Sequence, residues 1–486
     1  MKSPANIEHL DVVIVGAGIS GIAAAVELSR SCPDKKFAIV EMRSRLGGTW
    51  DLFRYPGIRS DSDMYTLGYS FKPWTASKAI ASGEAIRHYL QETVDEYGLH
   101  ERIRLETRLN KAVWSSEHTR WTLTLETPDG RRKVSADHIY LGAGYYSYSG
   151  GFDPALPGED VFDGTIVHPQ QWPENLNYVG KRIAVIGSGA TAVTLVPSMA
   201  DDAQKVTMIQ RSPTYLATEP DEDEEAEQLR AAIGPVEAFE RIRLRKIDNQ
   251  QTLYQRARVD AEGYKADLFA AIEEFVGSDI REKHFTPKYA PWDQRVCFVP
   301  DGDLFKSIRD GKAEVVTGTI ERLTSAGVLM SDGEIIEADI IVKATGLNLT
   351  IGGDAEFCVD DRRVDFSETY TYKGMAYSNV PNLVFAFGFL NSSWTLRIEL
   401  VNAFWIRVLQ RMDDLGASSV TPRLRPEDES VEPEPFISDV NSGYFRRGLP
   451  KLPKQGKPPW INPQSYAATR ALFDEDPQDG VLIFDK

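Results

Sequence analysis

Two short glycine-rich stretches carry the first chemistry legible in this sequence. Residues 16–21 read Gly-Ala-Gly-Ile-Ser-Gly, and residues 187–192 read Gly-Ser-Gly-Ala-Thr-Ala. Glycines at this spacing let a backbone turn tightly and approach a pyrophosphate, and a helix N-terminus behind them offers free N–H groups and a positive dipole end. Gly16 permits the turn, Gly18 the close approach and Gly21 the packing of helix on strand, with Ser20 between them. About 20 residues on, Glu41 is placed to accept hydrogen bonds from a ribose. In the second stretch Gly187 and Gly189 repeat these roles, with Ser188, Ala190 and Thr191 around them, and Ala192 replaces the third glycine. The acid is missing there, because the next strand ends in Gln210-Arg211-Ser212. A carboxylate would repel a 2′-phosphate, whereas Arg211 can bind one bidentately and Ser212 can donate to it. This favours NADPH over NADH, the alternative being that Arg211 is an exposed strand-end cation. For the first stretch the alternative is an α/β turn with chance glycines.

These side chains need particular elements to hold them. Residues 11–15 (DVVIV) form an unbroken β-branched run, as a doubly buried parallel strand requires. An alanine-rich helix over 22–30 and a strand over 37–40 follow. Residues 182–186, a helix reaching 199 and a strand over 206–209 repeat the pattern. The fold class expected is α/β, with two dinucleotide-binding, Rossmann-like domains, and two such folds imply two cofactors exchanging electrons. A second glycine pair, in Arg45-Leu46-Gly47-Gly48-Thr49-Trp50, suits a ligand longer than a nicotinamide ribose and points to FAD in the first fold. Residues 54–65 mix polar and aromatic groups as a cofactor pocket would, or as a surface loop would. The chain is expected to return at Ala344-Thr345-Gly346, after a strand over 339–342. This gives an FAD domain of residues 1–150 and 345–486 around an NADP domain of residues 151–344. The latter carries a helical insertion at 219–285, which starts in an acidic, solvated run. A strand over 383–387 is expected to lead into a serine-capped helix whose N-terminus faces the flavin. The tail beyond Pro422, rich in Pro, Asp and Glu, is expected to wrap the surface.

Composition narrows the partners. The 486 residues carry a net charge of −17, which argues against nucleic acid, since phosphate binding runs on clustered Lys and Arg. No apolar run approaches the roughly 20 residues of a membrane helix, and no leader precedes the first strand. Cys32, Cys297 and Cys358 are scattered and in no metal spacing. Together these favour a reduced, cytoplasmic setting.

Between the two folds, Phe162, Gly164, His168, Trp172 and Pro173 match the pattern F-x-G-x-x-x-H-x-x-x-W-P. With it the chain resembles the Baeyer–Villiger monooxygenases, a class of flavoprotein monooxygenases. The segments GGTWDLFRYPGIRSDSDMY, GSGATAVTLVP, IQRSPTY, HFTPKYAPWDQR and ATGLNL extend the resemblance over nearly the whole chain, toward the mycobacterial ethionamide-activating group. The resemblance implies that NADPH reduces FAD and that a C4a-peroxyflavin, formed with O2, converts ketones to esters or lactones and oxidises sulfides or thioamides. It implies Arg295 as the active-site arginine, also touching NADP, and Asp61 as its acidic partner, also touching FAD; a salt bridge made elsewhere is the alternative for each. It extends the FAD contacts to Gly48, Thr49, Trp50, Tyr65, Leu109 and Asn391. His168 is implied as a hinge residue and not as a base. One departure is Gln294, where ketone-oxidising members carry a lysine, so the NADP phosphates are left to Arg211.

Other readings are weaker. A disulfide reductase needs a close cysteine pair, and an N- or S-oxidising flavin-containing monooxygenase lacks the Trp-Pro ending. An NADPH oxidase would release hydrogen peroxide, and a non-enzymatic flavin-binding redox sensor would bind without turnover.

Overall fold

The computed structural model describes residues 7–438 and 442–486. The strand Glu8–Val15 lies between two parallel neighbours, Phe37–Val40 and Gly130–Leu141. Its residues Val12 to Val15 are buried, which is why the run is apolar without alternation. Ile103–Arg104 extends one side of this sheet, and Leu383–Phe385 pairs in parallel with the end of Gly130–Leu141. The other end of that long strand joins an antiparallel meander with Arg120–Thr127 and Arg108–Ser115. Gly130–Leu141 thus belongs to both halves of one nine-stranded sheet.

The second sheet has five strands, all parallel, in the order Ala313–Thr317, Lys205–Gln210, Arg182–Ile186, Ile340–Lys343 and Thr165–Val167. Helices Ile19–Ser31 and Ala190–Ala200 follow the two glycine-rich turns. The doubly wound α/β architecture is therefore present twice. The strand expected over 383–387 spans Leu383–Phe385.

The inserted segment forms three helices, Glu224–Ile233, Pro235–Val259 and Ala261–His284, the last kinked at Gly277. The first two rest on the first unit: Ala226, Ala238, Phe239 and Ile242 join its core. Arg243 donates to the carbonyls of Tyr65 and Gly68 and pairs with Glu399. The third reaches the second core through Ile272.

The tail departs from the surface course expected of it. Ser419–Pro422 pairs with Leu482–Asp485, and Phe436, Phe445, Trp460 and Phe473 are buried. Its polar composition conceals a few widely spaced apolar anchors, and each anchor buries enough area to tether the chain between them.

Candidate active site

The first glycine-rich turn opens the site. Gly16 adopts φ +102°, and a Cβ there would stand 2.6 Å from the Gly142 carbonyl oxygen. A Cβ on Gly21 would collide with the Gly16 carbonyl, so helix and strand pack backbone to backbone. Helix Ile19–Ser31 has no side-chain cap at Gly18, and its first N–H groups are left for a ligand. Gly48 faces Gly18 across the turn. The Glu41 carboxylate accepts from the backbone N–H groups of Ala17 and Arg43, both at 2.8 Å. Burial nonetheless raises its pKa. Beside Gly48, the buried Asp51 is ringed by Arg43, Arg45 and Arg54.

From this turn a cavity of about 450 Å³ runs through the molecule, lined by Gly16, Gly18, Ser20, Glu41, Gly48, Thr49, Trp50, Asp61 and Leu109. It continues to Ala190, Thr191, Arg295, Phe389, Ser392 and Trp394. An uncapped helix start, a backbone-only wall and a fixed carboxylate are the donor set an extended dinucleotide such as FAD requires.

Arg295 and Asp61 meet in this cavity, Nη2 to Oδ2 at 2.9 Å, with side chains 30% and 38% exposed. Burial works against the guanidinium's charge, but the carboxylate of Asp61 holds its pKa above the ordinary value. The Tyr145 hydroxyl lies 2.8 Å from that of Tyr146, and Tyr444 bonds to Tyr145. Burial raises all three phenol pKa values, so the cluster stays protonated beside the cation. The Tyr145 ring stacks on Trp394 at 5.2 Å, and Trp394 Nε1 donates to Ser20 Oγ at 2.8 Å. One contact chain thus links the glycine-rich helix to the arginine.

At the second turn, Ala190 and Thr191 line the cavity, and Thr191 bonds the Tyr55 hydroxyl. Ser188 Oγ is 2.9 Å from Thr214 Oγ1. Gly187 and Gly189 shape the turn but do not line the cavity. Arg211 and Ser212 are exposed at the strand end. The stretch 54–65 is not a plain surface loop: Tyr55, Ile58 and Asp61 line the cavity beside Phe53, and Arg59 pairs with Asp303 of the second unit at 2.5 Å.

The residues between the two folds form a joint. Thr165–Val167 is the edge strand beside Ile340–Lys343. Phe162 packs under the second sheet and Trp172 against its helix-side core, with Pro173 next in the chain. At Gly164 a Cβ would meet Phe162 and the Asp339 carbonyl. The His168 ring fills the space beside Gly151, and its Nε2 lies 3.2 Å from the Gly346 carbonyl. Its Nδ1 accepts from the Gln170 N–H. His168 therefore touches both chain segments that connect the units, and burial lowers its pKa.

Two expected FAD contacts lie elsewhere. Tyr65 is buried in the core against Phe239, because the short helix Met64–Leu67 presents Leu67, and not Tyr65, to the cavity. Asn391 turns its amide to the Gln464 carbonyl at 2.7 Å, and its neighbour Ser392 lines the cavity instead. Nor does serine cap the helix Trp394–Leu415: the N-cap residue is Ser393, but its hydroxyl bonds Thr66 Oγ1. Sequence reading missed the three tyrosines and Gln250. The run Tyr145-Tyr146-Ser147-Tyr148 directly behind Gly142-Ala143-Gly144 was a usable signal for two of them. Gln250, from the insertion, accepts from Ser392 Oγ at 2.5 Å and donates to Asp63 Oδ2 at 3.0 Å and Thr66 Oγ1 at 3.1 Å.

Residues 10–269 match the family described as pyridine nucleotide-disulphide oxidoreductase. The chain is 47% identical over 463 residues to the FAD-containing monooxygenase EthA of Mycobacterium tuberculosis, covering 94% of each. It is 43% identical to the probable FAD-binding monooxygenase AlmA of Acinetobacter baylyi, over 99% of this chain and 97% of that protein. In fold it is similar to an oxidized steroid monooxygenase bound to NADP, with TM-score 0.79, 24% identity and coverage of 98% and 100%. An open cyclohexanone monooxygenase gives TM-score 0.77 at 20% identity, with coverage of 99% and 100%.

Proposed function

Because the chain belongs to the FAD-containing monooxygenases, we propose that it inserts one atom of O2 into small ketones and sulfur compounds at the Arg295 end of its cavity. FAD and NADPH are its cofactors. We assign FAD to residues 1–150 and 345–486 and NADPH to residues 151–344. The observation that carries the reading is the Arg295–Asp61 pair, inside a cavity that both glycine-rich turns border. For a ketone the balance is ketone + O2 + NADPH + H+ giving ester + water + NADP+.

When bound, the reduced flavin supplies the activation of O2, after NADPH supplies the hydride. This chain's own residues bind, orient and shield. The Gly16–Gly21 turn takes the pyrophosphate of FAD, and Glu41 takes the adenosine ribose. Arg211 and Ser212 take the 2′-phosphate of NADPH. The Arg295 guanidinium, fixed by Asp61, stands where negative charge develops on oxygen and stabilises it without reorganising. Tyr145, Tyr146 and Trp394 form an aromatic wall that keeps water from that charge. His168 serves as a joint between the units. The isolated thiols of Cys32, Cys297 and Cys358 favour a reduced, cytoplasmic setting, and among the described residues no helix is long and apolar enough to cross a membrane.

The test is turnover with a ketone and with a sulfide under isotopically labelled O2. One labelled atom in the ester or sulfoxide, with one NADPH consumed per product, is the expected result. NADPH consumed with stoichiometric hydrogen peroxide and no labelled product would remove the reading.

A further inference from the structure

Arg397 lies in the second turn of helix Trp394–Leu415, and none of it is exposed. Its Nη1 donates to the Pro463 carbonyl at 2.6 Å and its Nη2 to the Lys373 carbonyl at 3.1 Å. Its Nε has no partner. Among the described residues no carboxylate pairs with it. Other buried cations differ: Lys373 pairs with Glu475, Lys343 with Asp153 and Glu159, and Arg243 with Glu399. A buried charge without a counter-ion is costly and calls for an explanation. Burial lowers its pKa to about 9, so it remains a cation at neutral pH.

Its position supplies the explanation. The guanidinium lies 5.6 Å from the centroid of the Phe389 ring. Phe389 lines the cavity together with Trp394, which stacks on Tyr145 beside Arg295. One aromatic ring therefore separates the charge from the cavity. Hydride transfer carries two electrons and one proton: FAD + NADPH gives FADH− + NADP+. The ring system of the cofactor gains a full negative charge in this step.

We propose that Arg397 is an uncompensated buried charge that shifts the bound flavin's equilibrium toward its reduced, anionic form. The inference rests on the proposed function, with the flavin ring at the Arg295–Trp394 end. Arg295 acts against its own carboxylate and contributes a weaker net field, whereas Arg397 has none to subtract. Two unit charges ~10 Å apart at an effective dielectric constant of ~20 interact strongly enough to move an equilibrium about tenfold.

Gly374 supplies a second handle. It adopts φ +66°, and a Cβ there would strike both the Arg397 guanidinium and Asn462 Oδ1. The amide of Asn462 is thus a neighbour of the charge, and Asn462→Asp is a nearly isosteric way to add the missing counter-ion. The experiment is the two-electron midpoint of the FAD-bound full chain, read against redox dyes without NADPH. It compares the wild type with Arg397→Gln, Arg397→Lys and Asn462→Asp. The Gln and Asp variants are expected to disfavour reduction about tenfold, which is about 30 mV for a two-electron couple. The Lys variant, whose ammonium is neutralised by burial more readily than a guanidinium, should fall between the wild type and the Gln variant. A merely structural Arg397 would lower Tm in the Gln variant and leave the midpoint in place, and that result overturns the proposal. If the Gln variant does not hold FAD, an unchanged midpoint in Asn462→Asp overturns it alone. The dyes bypass turnover, so failure here is distinguishable from failure to oxygenate a substrate.

Discussion

Arg295 and Asp61, drawn from opposite sides of the joint between the two nucleotide folds, share an ion pair at 2.9 Å. Neither fold alone holds the pair, so the site exists only when the units are seated on one another. The guanidinium is both oriented and partly neutralised by the carboxylate, and the balance between these effects sets the consequence of changing either residue.

Arg295→Ala removes the fixed cation. Product formation is expected to fall at least about 100-fold, as for loss of a preorganised oxyanion donor, while FAD content holds. Asp61→Asn keeps an acceptor and should cost about tenfold. Product yield and hydrogen peroxide, both measured per NADPH, check this; full ester formation by Arg295→Ala would remove the role given to it.

Arg211 is exposed at its strand end and free to meet a phosphate. Arg211→Ala should lower kcat/KM for NADPH by about 10- to 100-fold, the worth of a charge-assisted pair. The value for NADH should be nearly unchanged. Steady-state kinetics with both nucleotides decides, and an equal loss for both would sink the assignment.

Gly21→Ala is expected to be severe, because the new methyl would collide with the Gly16 carbonyl. Overpacking of backbone on backbone should cost about 3 kcal/mol or more. The flavin-to-protein absorbance ratio and Tm should fall together. A variant with full FAD content would show that the turn is softer than its contacts imply.

His138 gives a pH dependence. Burial, with a smaller contribution from Lys35, takes its pKa from 6.5 to about 3. The folded protein keeps the ring neutral while the unfolded chain takes a proton near 6.5. The stability tied to that neutral ring is intact above pH 6.5 and is lost as the pH falls from there toward 3. His138→Gln should therefore show a smaller fall in Tm between pH 7 and pH 5 than the wild type. Parallel Tm curves for the two proteins would contradict this.

The parts of the molecule that were legible in the sequence are those governed by local rules. The strand–glycine–helix junctions at 16–21 and 187–192 need particular backbone conformations, and glycine spacing records them. Arg295 and Asp61 were legible only through resemblance, since nothing local says that residues so far apart will touch. Tyr65 was misplaced because a four-residue helix decides which way it faces, and the buried course of the tail was hidden because Trp460 and Phe436 are single apolar residues in polar surroundings. The tyrosine cluster arises from two distant segments, 145–146 and 444, whose meeting is a property of the packed chain. Gln250 lies on a helix whose pattern gives its amphipathic face but not its partners.

Gln250 also sets a rule for recombination. Its amide stitches the insertion to Asp63, Thr66 and Ser392, so the helical segment is not an interchangeable cassette. A chimera that imports another relative's insertion without a matching amide leaves a half-buried acid and a cavity-lining hydroxyl without their shared partner. Such grafts should keep position 250 and its three hydrogen-bond partners, Asp63, Thr66 and Ser392, as a single inherited block.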